Sequence, residues 1–150
     1  MPQSLACIYI HLIFSTKSRV PVLHDGVRDS LHRYLAVILK ESRCQVTLIN
    51  SVEDHVHILF QLGRTASISE VVEEVKKHSS RWLKPRDVVL AQFAWQAGYG
   101  AFSVSQKDLP SVVRYIADQE EHHRKATFQE EFLAILVEHN VEYDERYVWD

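Results

Sequence analysis

The sequence predicts an α+β fold of the ferredoxin-like, RRM-like type, in which a βαββαβ antiparallel sheet is followed by additional C-terminal helices that carry a tyrosine. Three observations predict it: an apolar run at residues 5–14, a strand-turn-strand pattern over residues 45–62, and amphipathic helical patterns between the strands. With 150 residues, the chain is long enough for one domain with its own core. We expect that core at about residues 5–125, followed by a C-terminal helix and tail at residues 126–150.

The first predicted strand, residues 5–14, is apolar on both of its alternating faces. A strand that is buried on both faces belongs in the centre of a sheet. A polar, basic loop follows, and Pro21 rules out an immediate helix. Asp25 is the expected N-cap of a first helix over about residues 26–40, where apolar side chains recur at helical spacing.

The predicted hairpin consists of strands at residues 45–52 and 55–62, joined by a tight turn at Glu53-Asp54. Ser67-Ile68-Ser69-Glu70 has the spacing of a capping box, so a second helix begins there and runs until Pro85. A strand-like segment at residues 88–94 continues extended over residues 95–104. A third helix is predicted from Asp108 to about His123 or Lys125. A fourth helix is predicted from the capping box at Thr127–Glu130 to about residue 139.

Composition sets outer bounds on the function. A hydrophobic fraction of 46% and a charged fraction of 25% are ordinary for a globular protein, and a formal charge of −3 does not by itself indicate a nucleic-acid binder. Cys7 and Cys44 match no metal-binding or CxxC spacing, which predicts a reduced, cytoplasmic chain. The apolar run at residues 5–14 is too short to span a bilayer and follows no basic leader, so we expect neither a signal peptide nor a membrane segment.

Two histidines one residue apart, His55 and His57, open the third predicted strand. Side chains alternate between the faces of a strand, so both imidazoles point one way while Val56 and Ile58 point the other. Paired imidazoles rarely help a core, because each carries a polar nitrogen that has to be satisfied once it is buried. The pattern indicates a binding face, whereas a His-x-His pair taken alone in a strand is more often a pair of surface or structural histidines.

A second candidate feature lies on the third helix, where Tyr115 and Gln119 are four residues apart and share one face. With His55 and His57, the amide oxygen of Gln119 would form a three-ligand site with open positions. Nitrogen and oxygen ligands without a thiolate suit Mg²⁺ or Mn²⁺. Tyr115 would then lie beside the metal as a nucleophile, whereas a helical aromatic taken alone is more often a core residue.

These motifs resemble those of a known family. His55-Val56-His57 is similar to the histidine–hydrophobic–histidine motif of HUH nucleases, and Tyr115 with Gln119 resembles the Y-x-x-x-Q helix of their single-tyrosine transposases, the insertion-sequence 200/605 family. Residues 9–19 resemble that family's N-terminal strand and basic loop, and residues 95–102 resemble its last strand. The family includes transposases associated with repetitive extragenic palindromes, and the sequence is compatible with either branch.

The resemblance implies a metal-dependent single-stranded DNA endonuclease and strand-transferase that recognises DNA hairpins. Tyr115 would attach to the 5′-phosphate and release a 3′-hydroxyl. The resemblance also implies a homodimer in which the tyrosine helix can complete the partner chain's site, in the cytoplasm and nucleoid of a bacterial or archaeal cell. The alternative on the same fold is a domesticated, non-catalytic binder of hairpins or single strands, which would need neither the metal nor Tyr115.

Basic and aromatic side chains outside these motifs are candidates for DNA contacts. On general grounds a basic helix face is a solvated surface, and with a DNA substrate it becomes the first candidate for phosphate contacts. The aromatic candidates either stack on unpaired bases or pack in the core. His11, His122 and His123 have structural explanations at least as good as functional ones. The candidate DNA contacts are Lys17, Arg19, Lys76, Lys77, Arg81, Lys84, Trp95 and Tyr99.

Overall fold

The computed structural model describes residues 2–150, which form one four-stranded sheet and five α-helices. The elements in chain order are β1 (Tyr9–Ser15), α1 (Asp25–Glu41), β2 (Gln45–Ser51), β3 (His55–Gln61), α2 (Ile68–Leu83), β4 (Gly100–Val104), α3 (Leu109–Ala117), α4 (Gln119–Lys125) and α5 (Phe128–Glu138). The strands lie in the order β2-β3-β1-β4, and all neighbours are antiparallel. The predicted fold class, a βαββαβ sheet with additional C-terminal helices, is confirmed.

β1 is the central strand, as its two apolar faces predict. It pairs with β3 along its whole length and with β4 from Tyr9 to Ile13. The strand begins at Tyr9 rather than at Leu5, because Gln61 of β3 and Val104 of β4 are both the last residues of their strands and lie opposite Tyr9. The two partners of β1 therefore set its start.

One face of the sheet is covered by α1 and α2. Leu12 and Phe14 of β1 are fully buried there against Leu31 and Leu35 of α1 and Val75 of α2, in one hydrophobic cluster. The apolar side chains of both helices recur every three or four residues, which gives each helix one buried face. Burial of such side chains contributes about 1.5–3 kcal/mol each, so this face of the sheet carries most of the stabilising core.

The helix N-termini agree only partly with prediction. His24, not Asp25, is the N-cap of α1, and Asp25 lies in the first turn, where it forms an ion pair with Arg28. A carboxylate in the first turn is favoured by the helix dipole, so Asp25 stabilises the same helix end from inside it. At α2 the structure shows the N-cap half of the predicted capping box, since the Ser67 side chain accepts a hydrogen bond from the backbone N–H of Glu70.

The prediction of a strand at residues 88–94 is wrong, because this segment forms a 3₁₀ turn at Val88–Leu90. Leu90 and Phe93 are three residues apart and both are buried in the cluster under α1 and α2. The apolar pattern therefore follows the period of a tight turn, not that of a strand. β4 covers only the last part of the extended segment predicted at residues 95–104.

The prediction that one continuous third helix carries both Tyr115 and Gln119 is also wrong. The helix breaks at Asp118, whose φ of −94° and ψ of 23° lie outside the helical range, and α4 begins at the next residue. Asn50 of β2 explains the break, since its side-chain amide donates to the carbonyl oxygen of Ile116 at 2.8 Å. That carbonyl lies in the last turn of α3, where it needs a partner outside the helix.

α5 covers the sheet face opposite α1 and α2. The predicted capping box at Thr127–Glu130 is present, and Phe132 packs in a second hydrophobic cluster that includes Ile13 of β1. The tail, which the sequence left unassigned, folds back towards the sheet. The carbonyl oxygen of Asp150 accepts a hydrogen bond from the backbone N–H of Gly98 at 2.7 Å.

Gly63→Ala should lower the free energy of unfolding by about 1–3 kcal/mol, as overpacking does in other proteins. A Cβ at Gly63 would lie 2.1 Å from the backbone carbonyl oxygen of Arg43, which cannot rotate away. Urea denaturation followed by circular dichroism measures the effect.

Gly26→Ala is the matched control for that measurement. A Cβ at Gly26 would meet only the His24 ring, at 3.3 Å, and alanine is the better helix former. The Gly26 variant should therefore be at least as stable as the wild type. Equal unfolding midpoints for the wild type and the Gly63 variant would contradict the prediction.

Candidate active site

The two histidines of β3 lie on the sheet face covered by α5. His55 and His57 are fully buried, and Val56 and Ile58 lie in the cluster under α1 and α2. The strand alternation predicted from the sequence therefore places both imidazoles on one side. Phe128 of α5 packs against the His55 ring at a centroid distance of 4.8 Å.

Each histidine is held by a hydrogen bond at Nδ1. Asp54 Oδ1 lies 2.7 Å from Nδ1 of His55, and Nε2 of His11 lies 2.7 Å from Nδ1 of His57. A carboxylate can only accept, so His55 donates its Nδ1–H to Asp54. The hydrogen bonds at Nδ1 leave Nε2 of both rings directed towards a common point, as in histidines that ligate metals.

The structure brings Tyr115 and Gln119 to the same place, despite the helix break between them. The Gln119 side chain is fully buried, and its Oε1 lies 3.0 Å from Nε2 of His55. The half-buried Tyr115 ring packs edge-on to His57 at a centroid distance of 5.8 Å. All four residues predicted to carry the chemistry therefore lie together.

Glu131 of α5 completes this cluster and was missed by the sequence analysis. Its carboxylate accepts hydrogen bonds from the Tyr115 hydroxyl and, at 3.0 Å, from the Gln119 amide. Its oxygens also lie 3.1 Å from Nε2 of His57 and 3.4 Å from Nε2 of His55. One carboxylate thus touches every residue that the sequence placed in the site.

The sequence does contain a signal for Glu131. Acidic residues are common in the first turn of a helix, where the dipole favours them. Glu131, however, lies on the same helix face as Phe128 and Ile135, which are buried. A carboxylate on the apolar face of an amphipathic helix is rarely buried without a partner.

The groups of the site determine one another's charge. Burial opposes a charge on His55, but the hydrogen bonds and negative charges of Asp54 and Glu131 outweigh it and raise the His55 pKa to about 9. Burial lowers the pKa of His57, which keeps that ring neutral. Burial disfavours the Glu131 carboxylate as well, yet the two histidines hold its pKa well below the ordinary value. Burial and the neighbouring Glu131 charge raise the pKa of Tyr115, so its hydroxyl is protonated.

The arrangement of donor atoms fits a divalent metal ion. Nε2 of His55 and His57, Oε1 of Gln119 and the Glu131 carboxylate are neighbours at 3.0–3.4 Å. Ligands about 2.1 Å from an ion are separated by roughly these distances at adjacent coordination positions. Within residues 2–150, His57 Nε2 and Glu131 Oε2 are buried without a hydrogen-bond partner. The donors are nitrogen and oxygen without sulfur, a set that hard or borderline divalent ions accept.

A second group of possible ligands, Asp54, His55 and His123, adjoins the first and shares His55 with it. Asp54 already accepts from the His55 ring, and His123 lies 3.3 Å from a carboxylate oxygen of Glu53. His122 packs on the Tyr115 ring at a centroid distance of 4.7 Å. These contacts place the α4 histidines around the site as support for its ligands and its tyrosine.

The candidate DNA contacts separate into two groups. Lys17, Lys77, Arg81, Lys84 and Tyr99 are exposed. Lys77 also forms an ion pair with Glu74 at 3.0 Å. The other three are buried or half-buried.

Among those three, the Lys76 ammonium donates to the carbonyl oxygens of Gln96, Ala97 and Gly98 at 2.6–3.2 Å. Trp95 is 7% exposed and donates to Ser79, so it is a packing residue. The guanidinium of the half-buried Arg19 lies over the Trp149 ring at 5.7 Å. The sequence could not anticipate these long-range contacts.

Comparison with known proteins identifies the family. The profile of the family described as "Transposase IS200 like" matches residues 4–119, more than three quarters of the chain. The chain belongs to the IS200-like transposases. It is 26% identical over 114 residues to the ISDra2 transposase TnpA of Deinococcus radiodurans, which covers 73% of this chain and 81% of that protein.

Two solved structures share the fold of this IS200-like transposase. One, from Deinococcus radiodurans R1 and assigned to a transposase, has a TM-score of 0.62 at 24% identity and covers 79% of this chain and 98% of its own. The other is a REP-associated tyrosine transposase bound to a REP hairpin, with a TM-score of 0.61 at 15% identity and coverage of 82% and 74%. In residues 2–150 of the transposase described here, no helix is long and apolar enough to cross a membrane.

His11→Gln should flatten the pH dependence of stability in acid. Burial and the neighbouring His57 lower the His11 pKa from 6.5 to about 3, so between these values the unfolded chain binds a proton that the folded chain does not. Stability should therefore fall as the pH drops from 6.5 towards 3, by up to about 1.4 kcal/mol per pH unit from this residue. Urea denaturation at pH 6.5, 5.5 and 4.5 measures the slope.

The exposed His24→Gln is the matched control, since it replaces the same side chain away from the site. Identical slopes for the wild type and the His11 variant would contradict the role assigned to His11.

Proposed function

We propose that this IS200-like transposase cleaves and rejoins single-stranded DNA beside hairpins, with Tyr115 as the nucleophile and a divalent metal ion held by His55, His57 and Gln119. The observation that carries the proposal is the convergence of these four side chains on one buried point. The hairpin in the REP-associated structure supports the proposed substrate class, since the two chains share a fold.

Tyr115 supplies the proposed nucleophilic oxygen. A phenol is a weak nucleophile near neutral pH and needs a base or a cation beside it. The Tyr115 hydroxyl donates to the Glu131 carboxylate, which is placed to accept the proton as the reaction proceeds. The tyrosine oxygen then forms a bond to phosphorus and the bond from phosphorus to the 3′-oxygen breaks. The products are a 5′-phosphotyrosine and, after proton uptake by the leaving oxygen, a 3′-hydroxyl.

The histidines hold the site in the form that this chemistry needs. When bound, a divalent ion polarises the phosphodiester and stabilises negative charge on its oxygens. Asp54 and His11 fix the rings of His55 and His57 through their Nδ1 atoms, which keeps Nε2 of each ring aimed at the ion's position. Gln119 adds a neutral oxygen donor from α4.

The exposed basic residues of α2 and of its C-cap, Lys84, are the proposed phosphate contacts. Lys77, Arg81 and Lys84 are three or four residues apart, which places them along one side of the helix. α2 lies on the sheet face opposite the histidines. DNA that contacts both surfaces would therefore pass around an edge of the sheet. Lys17 lies two residues after the end of β1, and its exposed side chain is a further candidate contact.

Tyr115→Phe should abolish the covalent adduct and keep hairpin binding, because only the hydroxyl is lost. The substrate is labelled single-stranded hairpin DNA from beside the gene, incubated with Mg²⁺ or Mn²⁺. A denaturing gel measures label that travels with protein, and fluorescence anisotropy measures binding.

Tyr143→Phe, in the exposed tail, is the matched control and should form the adduct at the wild-type rate. Adduct formation by the Tyr115 variant would contradict the assignment of Tyr115 as the nucleophile. Tight binding by the wild type without an adduct, with both metals, would favour the non-catalytic hairpin binder.

The proposed assembly is complete within one chain, since Tyr115 and the histidines of the same chain contact Glu131. An equimolar mixture of Tyr115→Phe and His57→Ala chains should therefore form no adduct. The variants carry different affinity tags, so that mixed dimers can be isolated before the assay if the protein dimerises. Adduct formation in purified mixed dimers would instead favour a homodimer whose sites are shared between chains.

A further inference from the structure

We propose that Glu131 is both a further metal ligand and the positioning residue of the nucleophile, with one function for each carboxylate oxygen. Oε2 would take a coordination position beside His55 and His57, while Oε1 holds the Tyr115 hydroxyl. The inference rests on the proposed metal-dependent cleavage and adds to it a residue beyond the matched stretch, which ends at Gln119.

The two carboxylate oxygens of Glu131 differ in their hydrogen bonding. Oε1 accepts from the Tyr115 hydroxyl and from the Gln119 amide. Oε2 lies 3.4 Å from Nε2 of His55, and among the residues described, 2–150, it has no hydrogen-bond partner. The side chain is 7% exposed, so water satisfies little of it. A buried carboxylate oxygen that lies beside an imidazole nitrogen and makes no hydrogen bond has the placement of a ligand.

The charge of the site gives a second reason. A histidine binds a metal ion as a neutral imidazole, so two such ligands and an amide oxygen supply no negative charge to balance a divalent ion. Hard cations prefer carboxylate oxygens. Asp54 is already bound to the outer nitrogen of His55. Glu131 is the carboxylate that faces the inner nitrogens of both histidines.

The packing of α5 holds this carboxylate in place. Phe128 and Phe132 are buried on either side of Glu131, and the capping box fixes the start of the helix. Gly100 of β4 allows this close approach, since a Cβ there would lie 2.7 Å from the Phe132 ring. The position of Glu131 is therefore set by the core, as a preorganised ligand requires.

Metal affinity distinguishes a ligand role of Glu131 from a role in packing alone. Because Oε1 holds the Tyr115 hydroxyl and Oε2 faces the metal position, removal of the carboxylate should weaken metal binding, whereas removal of the hydroxyl should not. Glu131→Gln keeps the size and polarity of the side chain and loses its charge. Glu131→Asp keeps the charge and withdraws the carboxylate by one methylene.

Isothermal titration of the full-length protein with Mn²⁺, without DNA, tests the inference. Glu131→Gln should bind Mn²⁺ at least about tenfold more weakly than the wild type, and Glu131→Asp should lie between the two. Tyr115→Phe should bind within about twofold of the wild type. Glu138→Gln, an exposed carboxylate two turns along α5, is the matched control and should not change the affinity. Circular dichroism confirms the fold of each variant.

The outcomes distinguish this inference from the proposed function. If the wild type binds Mn²⁺ and both Glu131 variants bind it equally tightly, Glu131 is not a ligand, and metal-dependent cleavage by Tyr115 is unaffected. If the wild type binds no Mn²⁺ and forms no adduct, the proposed function itself fails. If Glu131→Gln does not fold, the Glu131→Asp affinity decides, and a value equal to that of the wild type overturns the inference.

Discussion

The burial of a carboxylate between two imidazoles is the interaction on which this site depends. An unpaired charge in a protein interior is strongly destabilising, so Glu131, His55 and His57 have to be buried together. α5 brings the carboxylate, β3 brings the imidazoles, and the aromatic side chains of α5 exclude water from both. The Tyr115 hydroxyl is then placed by the hydrogen bond that it gives to this carboxylate.

Local sequence patterns predicted the fold class, and the four candidate site residues that they indicated lie together in the structure. Strand alternation placed His55 and His57 on one face, and a spacing of four placed Tyr115 near Gln119 even though the helix breaks between them. That break comes from Asn50, which is distant in sequence and binds a carbonyl group of α3. The prediction of one continuous helix therefore failed because of a tertiary contact, and helical spacing in the sequence carries no information about such contacts.

Contacts between distant residues account for the other differences. His11 meets His57 across 46 residues because β1 and β3 are adjacent strands, and nothing local to His11 specifies that register. Lys76 belongs to a basic helix face by sequence, yet its ammonium binds three backbone carbonyl groups in the segment before β4. Glu131 carried the clearest unused signal, a carboxylate on the apolar face of a helix.

β3 carries core and site residues at alternating positions, and it pairs with strands on both sides. Backbone amides in such a strand exchange with solvent mainly when the whole domain unfolds, whereas short helices at the edge of a fold open more readily. The histidines therefore belong to the most persistent part of the molecule, while the tyrosine, glutamine and glutamate come from short helices packed on the sheet. Any local opening of the site should thus separate the helix-borne groups from a fixed pair of imidazoles.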